Sequence, residues 1–390
     1  MKKVLIFCIV LNAFSFSSIS KNIQVGAEHI QQYLPLLKNK KVGLVVNQTS
    51  VIGNTHLLDT LLSLGVDVEV VFAPEHGFRG TADAGEHIEN GVDKKTNTKI
   101  ISLYGDNKKP KPEQLQHLDV LVFDIQDVGV RFYTYISTLQ YAMEACAENN
   151  KPLIVLDRPN PNGHYVDGPT LTNKFKSFVG MQEIPVVYGM TIGEYALMLN
   201  GEKWLENKVQ CNLTIIKCSD YDHTIFYSLP IKPSPNLPNM QSIYLYPSLC
   251  FFEGTNNISL GRGTDKPFQL YGSNTFSNKL SYSFTPKSVE GAKNPPLLNK
   301  KCFGFDLSSL NLKKLQQQKF TLKYLLDAYK QTNDKTHFFN DFFNKLSGND
   351  LLQNQIKNGL CEKEIKSSWK TDIAKFKAIR KKYLLYKDFE

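Results

Sequence analysis

Val42-Gly43-Leu44-Val45-Val46 is a run of five apolar residues that stops abruptly at the polar Asn47-Gln48-Thr49-Ser50. A strand wetted on one side alternates apolar with polar residues. An unbroken apolar run reads instead as a strand buried on both faces. The chain downstream repeats the pattern. Residues 56–64 have helical spacing of apolar positions, and Gly65 follows as a C-cap would. Residues 66–72 form a second, valine-rich strand, and residues 99–103, 120–125 and 153–156 a third, fourth and fifth. A helix over 136–149 separates the last two. Mostly apolar strands separated by helices predict an α/β fold with a largely parallel sheet covered on both faces.

From Ile184 onward the chain is richer in proline, glycine and aromatics, with Pro230, Pro233, Pro235 and Pro238 in one extended stretch. Residues 314–329, 350–360 and 367–386 read as helices. The composition shift puts a domain boundary between Gly163 and Pro185, giving a first domain over 21–183 and a second over 184–390. At the other end, Lys2-Lys3, an apolar run from Val4 to Phe14 and then Ser17-Ser18-Ile19-Ser20 have the order of a secretory signal peptide cleaved after Ser20. The run is far short of a membrane span, and Cys8 inside it sits in poor context for lipoprotein processing. The expected product is periplasmic or secreted.

Loss of Lys2 and Lys3 lowers the formal charge from +9 to +7. That suits an anionic cell-wall polymer, and the absence of a basic stripe interleaved with aromatics argues against nucleic acid. The six later cysteines show no CxxC or Cys/His ligand spacing and read mostly as buried thiols. Arginine is more telling. Lys+Arg total 46, yet only five are arginine: Arg79, Arg131, Arg158, Arg262 and Arg380. In a chain this rich in lysine, arginine is expected where its planar fork is itself required.

Several catalytic signatures are missing. No GxGxxG follows the first strand, and there is no phosphate loop, HExxH or GxSxG. The doubly wound pattern therefore does not imply a dinucleotide, and the spacing of Asp119, Asp124 and Asp127 matches no metal loop. Carboxylates at strand ends remain, where open parallel sheets bind ligands. In Ala73-Pro74-Glu75-His76-Gly77-Phe78-Arg79-Gly80, a rigid turn fixes Glu75 beside apolar Phe72 and Phe78, a setting suited to a general acid. His76 reads as an orienting neighbour. The stretch Phe123 to Tyr135 brings Asp124, Asp127, Arg131 and Tyr133 together, polar groups and rings that suit a sugar. Asp157-Arg158-Pro159-Asn160-Pro161-Asn162 reads as an architectural turn. In the second region, Phe251-Phe252-Glu253-Gly254-Thr255-Asn256 precedes Gly261-Arg262-Gly263. Glycosidases generally flank the scissile bond with two carboxyl groups, and Glu75 and Glu253 could supply one from each domain.

These motifs, with Val42–Val51, Leu156–Gly168, Gly189–Gly201, Pro233–Pro238 and Phe252–Phe268 in order, resemble the exo-β-N-acetylmuramidase family of peptidoglycan hydrolases, formerly a domain of unknown function. The resemblance implies a Rossmann-like N-terminal domain, a smaller C-terminal domain and an active site between them. It also implies release of N-acetylmuramic acid from the non-reducing ends of peptidoglycan fragments, without a nucleotide cofactor. One departure is Leu270-Tyr271-Gly272-Ser273-Asn274, where the family pattern has a Gly-Ala-Pro-Trp-like stretch. The residue reading assigns Glu75 and Glu253 as the carboxyl pair, with His76 and Asp127 assisting. It assigns Asn47, Arg79, Asp124, Arg131, Tyr133, Asn256 and Arg262 to the substrate, one of Arg79, Arg131 and Arg262 gripping the lactyl carboxylate of muramic acid. A competing reading is a muropeptide-binding protein without chemistry. A third places a metal on Asp124 and Asp127.

Overall fold

The computed structural model describes residues 23–75, 77–78 and 90–390. Six parallel strands lie between residues 41 and 216: β1 Lys41–Val46, β2 Asp67–Ala73, β3 Lys99–Ser102, β4 Val120–Asp124, β5 Leu153–Leu156 and β6 Leu213–Ile216. Their spatial order is β3-β2-β1-β4-β5-β6, with the two-residue strand Gly91–Val92 antiparallel on the β3 edge. This is the doubly wound, Rossmann-like order. Its topological switch lies between β1 and β4, where such sheets open a crevice at their carboxyl ends.

The apolar runs are explained by two-sided burial. Val42, Leu44 and Val46 of β1 enter one core and Val45 the other, as the two-residue period requires. The same split separates Val120 and Val122 from Leu121 and Phe123 on β4. The first five strands lie where the apolar runs put them. The sixth is a half-exposed edge, Leu213-Thr214-Ile215-Ile216, too short and mixed to stand out. It pairs in parallel with β5, Leu153 opposite Leu213, so the large sheet extends past the 183/184 boundary expected from composition.

Beyond the sheet come the helix Met240–Leu249, the 3₁₀ turn Cys250–Gly254 and a three-stranded antiparallel sheet. The strands of that sheet are β7 Leu270–Ser273, β8 Tyr282–Phe284 and β9 Cys302–Asp306, in order β7-β9-β8. The stretch that departs from the family pattern is thus mostly β7, wholly buried. Helices follow. The single helix expected at 314–329 is two, Leu312–Gln318 and Lys323–Gln331, interrupted at Lys319, where φ is 59°. The last α-helix stops at Arg380, and after one 3₁₀ turn over Lys381–Tyr383 the tail returns to the first domain, Tyr386 O–H donating to Asp157 Oδ2 at 2.6 Å. Phe343, Trp369 and Phe376 join the same core as Phe123 and Val155, so the C-terminal region packs on one face of the parallel sheet. Among the described cysteines none is in a disulfide, and Cys361 alone is exposed. Residues 1–20, read as a signal peptide, lie outside the described residues.

Candidate active site

Glu75 is the second residue beyond β2. Gly77 closes its turn by donating N–H to the Pro74 carbonyl at 3.0 Å, at a φ of 74° that a side chain would disfavour. The half-buried carboxylate accepts Thr134 Oγ1 on Oε2 at 3.1 Å. Tyr135 O–H reaches the Glu75 carbonyl at 3.4 Å. The loop carrying Tyr133 and Thr134 is itself fixed. Asn162 Nδ2 donates to the Val128 carbonyl at 2.9 Å, and Gln126 Nε2 to that of Pro159 at 2.7 Å. The turn Asp157–Asn162 is architectural, as its prolines suggested.

Glu253 stands on the opposite wall, in the 3₁₀ turn Cys250–Gly254. Arg262 donates Nε and Nη2 to its Oε1, at 2.8 and 2.6 Å. The Cys250 thiol lies 3.8 Å from Oε2. The guanidinium is also 5.0 Å from the Phe268 ring centroid. Both glutamates line one cleft of about 250 Å³, walled further by Tyr133, Tyr246 and Phe268. Its rings meet edge to face, Tyr133 with Tyr135 at 4.9 Å and Tyr246 with Phe268 at 5.0 Å. The proline-rich segment closes one side. The Pro233 carbonyl accepts both Tyr133 O–H and Gln48 Nε2, each at 2.9 Å, which presents Ser234 and Asn236 to the cleft.

Burial, then the neighbouring Tyr135 and Asp127, push the Tyr133 phenol well above its ordinary value. Burial and Glu75 raise Tyr135 likewise, against the opposing effect of the Asn47 side chain. Both remain neutral hydrogen-bond donors at physiological pH. Burial acts to lower the Arg262 guanidinium, but Glu253 outweighs it and holds the cation above its usual range.

Of the residues read from sequence, Glu75, Glu253, Tyr133 and Arg262 meet in the cleft, while His76 and Arg79 lie outside the described residues. The others are elsewhere. Asp124 is sealed in a bidentate pair with Arg158, at 2.5 and 2.9 Å, with side-chain exposures of 0 and 2%. It does not line the cleft, and its oxygens are aimed at Arg158 rather than at a site shared with Asp127. Arg131 is fully buried and donates to the carbonyls of Pro169, Ile184 and Leu346. It ties the C-terminal region to the sheet domain and has no route to a lactyl group. Burial lowers its pKa to about 9.

Asn256 faces solvent and donates to the His337 carbonyl at 2.6 Å. Asn47 is buried at the end of β1, accepting Thr49 N–H and O–H on Oδ1. Asp127 lies behind the wall, accepting Gly129 N–H at 2.6 Å and Tyr188 O–H. Burial raises its pKa to about 6. The sequence reading did not single out Thr134 or Tyr246. Thr134 was legible in the same motif as Tyr133. Tyr246 sits in an apolar helix with no local mark.

Two family models match consecutive parts of the chain, exo-beta-N-acetylmuramidase NamZ, N-terminal, over residues 42–241 and the C-terminal counterpart over residues 244–386. The peptidoglycan beta-N-acetylmuramidase NamZ of Bacillus subtilis (strain 168) is 38% identical over 409 aligned positions, covering 96% of both chains. Among solved structures, a DUF1343 family protein of Bacteroides fragilis NCTC 9343 is 49% identical with a TM-score of 0.88, covering 94% of this chain and 99% of that one. A second DUF1343 family protein from the same organism is 30% identical with a TM-score of 0.78 and the same coverage.

Proposed function

This chain belongs to the exo-β-N-acetylmuramidase family, glycoside hydrolases of peptidoglycan, and from that premise we propose that the Glu75–Glu253 cleft is where it removes terminal N-acetylmuramic acid. The observation that carries the assignment is that two carboxylates, one from each side of the molecule, line one small aromatic cleft. At about 250 Å³ the cleft is slightly below the usual ligand-pocket range of about 300–1,000 Å³. That suits one sugar at a chain end better than an extended glycan.

The roles follow from the partners. Glu253 accepts two guanidinium N–H groups, the setting of a carboxylate that stays an acceptor. Glu75, on the facing wall, accepts the neutral Thr134 hydroxyl on Oε2 and is assigned the proton donor. In the reaction Glu75 gives its proton to the glycosidic oxygen as the bond to C1 breaks, and the leaving sugar departs with a free 4-hydroxyl. Water supplies the hydroxyl that C1 gains, and Glu253 is the carboxylate that stabilises or activates on the other side. Tyr133 and Tyr246 offer apolar ring surface to the sugar. Of the three arginines considered for the lactyl carboxylate, Arg262 is the one whose side chain lines the cleft among the described residues. The basic, apolar and small-residue order of residues 2–20 supports export to the compartment where peptidoglycan lies.

The test is incubation of the pure protein with a chromogenic N-acetylmuramic acid glycoside. Chromophore release that Glu75→Gln abolishes supports the assignment. Binding of muropeptides without release, from pH 5 to pH 8, would leave the binding-protein reading in its place.

A further inference from the structure

The C-terminal region carries a second, roomier depression of about 430 Å³, beside the helix Lys323–Gln331 and the end of the helix Leu351–Lys357. Its floor is apolar, with Leu326, Ile356 and Leu360. Four exposed lysines rim it: Lys323, Lys330, Lys335 and Lys357. Two acids share the lining, but both are turned to other partners. Asp327 Oδ2 accepts Tyr271 O–H at 3.2 Å, and Glu362 accepts Thr321 O–H and Leu322 N–H, each at 3.0 Å.

Among the described residues none of the four lysines is paired with a carboxylate. Lys335 and Lys357 lie instead over the rings of Tyr329 and Phe339, at 5.5 and 5.7 Å. Four cations against two committed acids leave a positive rim around an apolar floor. The depression also backs onto the catalytic wall, since the Tyr271 ring stacks on Phe252, the neighbour of Glu253, at 5.2 Å.

We propose that this depression binds the carboxylate-bearing stem peptides of the peptidoglycan strand whose end occupies the cleft. The inference rests on the function proposed above. A stem peptide alternates carboxylates with aliphatic side chains, which matches cations set around an apolar floor. Lysine ammonium groups on flexible stems suit carboxylates at varied positions, whereas a fixed planar partner would favour arginine. A phosphate polymer would make no use of Leu326, Ile356 and Leu360. The device also answers a need, because a cleft that holds one terminal sugar has little grip on an insoluble polymer. A second contact on the same strand raises the local concentration of chain ends without altering the chemistry.

The test compares the full chain with the triple variant Lys323→Gln/Lys330→Gln/Lys357→Gln. Co-sedimentation with purified sacculi should weaken roughly tenfold for three exposed charges, and with it turnover on sacculi. Turnover of the small chromogenic glycoside should stay within about twofold. Wild-type binding should fall with rising salt, and should fall also on sacculi whose stem peptides an amidase has cut away. Unchanged sedimentation of the triple variant overturns the proposal. So does equal binding to peptide-free strands, or binding lost only when wall phosphate polymers are stripped. A wild-type protein that sediments but releases no chromophore would sink the catalytic reading and leave this one standing.

Discussion

Glu253 receives Arg262 on a single oxygen, Oε1, through both Nε and Nη2, while Oε2 meets the Cys250 thiol at 3.8 Å. One oxygen is thus saturated by charge-assisted donors and the other is left with a weak one. That asymmetry leaves Oε2 as the oxygen with acceptor capacity to spare and makes the guanidinium fork, rather than a positive charge alone, the orienting element. Arg262→Lys keeps the charge but cannot place two donors side by side. Hydrogen bonds to charged groups are worth about 1.5–3 kcal/mol, so kcat/KM on the muramic acid glycoside should fall roughly 10- to 100-fold. Thermal melts should shift little. Activity within twofold of wild type would show that charge alone suffices.

Glu75→Gln keeps the side-chain shape and removes the transferable proton. Loss of general acid–base catalysis lowers kcat by roughly 10²–10⁴-fold. Thr134→Val, which removes the hydroxyl at 3.1 Å from Oε2, should lower kcat only several-fold, as a single neutral hydrogen bond of about 1 kcal/mol implies. Steady-state kinetics on both variants separates the acid from its support. Similar losses in the two would mean that Glu75 acts through position rather than by its proton.

The sheet was legible because two-sided burial writes itself into sequence as apolar runs, and the first five parallel strands carry such runs. β6 was not, since an edge strand needs only one partner and tolerates Thr214 and solvent. The wall of the candidate site was half legible. Glu75 and Glu253 sit in turns marked by proline, glycine and aromatics. Asp124 and Arg131 sit in an equally marked segment yet are buried structural groups. Local sequence shows that a charged side chain lies at a strand end. It does not show whether a distant partner, Arg158 for Asp124 or the Leu346 carbonyl for Arg131, has already claimed it.

Arg158 therefore predicts the opposite phenotype from Arg262. Breaking a buried ion pair leaves an uncompensated charge and costs about 3–5 kcal/mol. Arg158→Met should lower the denaturation midpoint sharply, since Asp124 is 0% exposed and would lose both its guanidinium donors. The fraction that remains folded should turn over substrate at close to the wild-type rate. A stable variant with depressed kcat would instead place Arg158 in the catalytic machinery.

Asp127 gives a pH signature. Its Oδ2 accepts Gly129 N–H and Tyr188 O–H, while Oδ1 is buried with no partner among the described residues. Burial, opposed by those donors, lifts its pKa from 3.8 to about 6. The folded chain therefore keeps a proton that the unfolded chain releases between about pH 4 and pH 6. Linkage then makes the stabilisation complete below the unfolded pKa and removes it as pH rises through the folded one. A shift of about two units corresponds to roughly 3 kcal/mol. Asp127→Asn preserves the shape and an acceptor for Gly129 and Tyr188, and it carries no charge at any pH. The unfolding free energy of the variant minus that of wild type should thus move in the variant's favour between pH 4.5 and pH 7.5, by about 2 kcal/mol. Asp157, raised to about 6 by its own burial, is present in both proteins and cancels in the difference. Urea denaturation of the two proteins at both pH values reads it directly. A difference that stays constant with pH would mean that Asp127 is already ionised in the folded protein throughout that range.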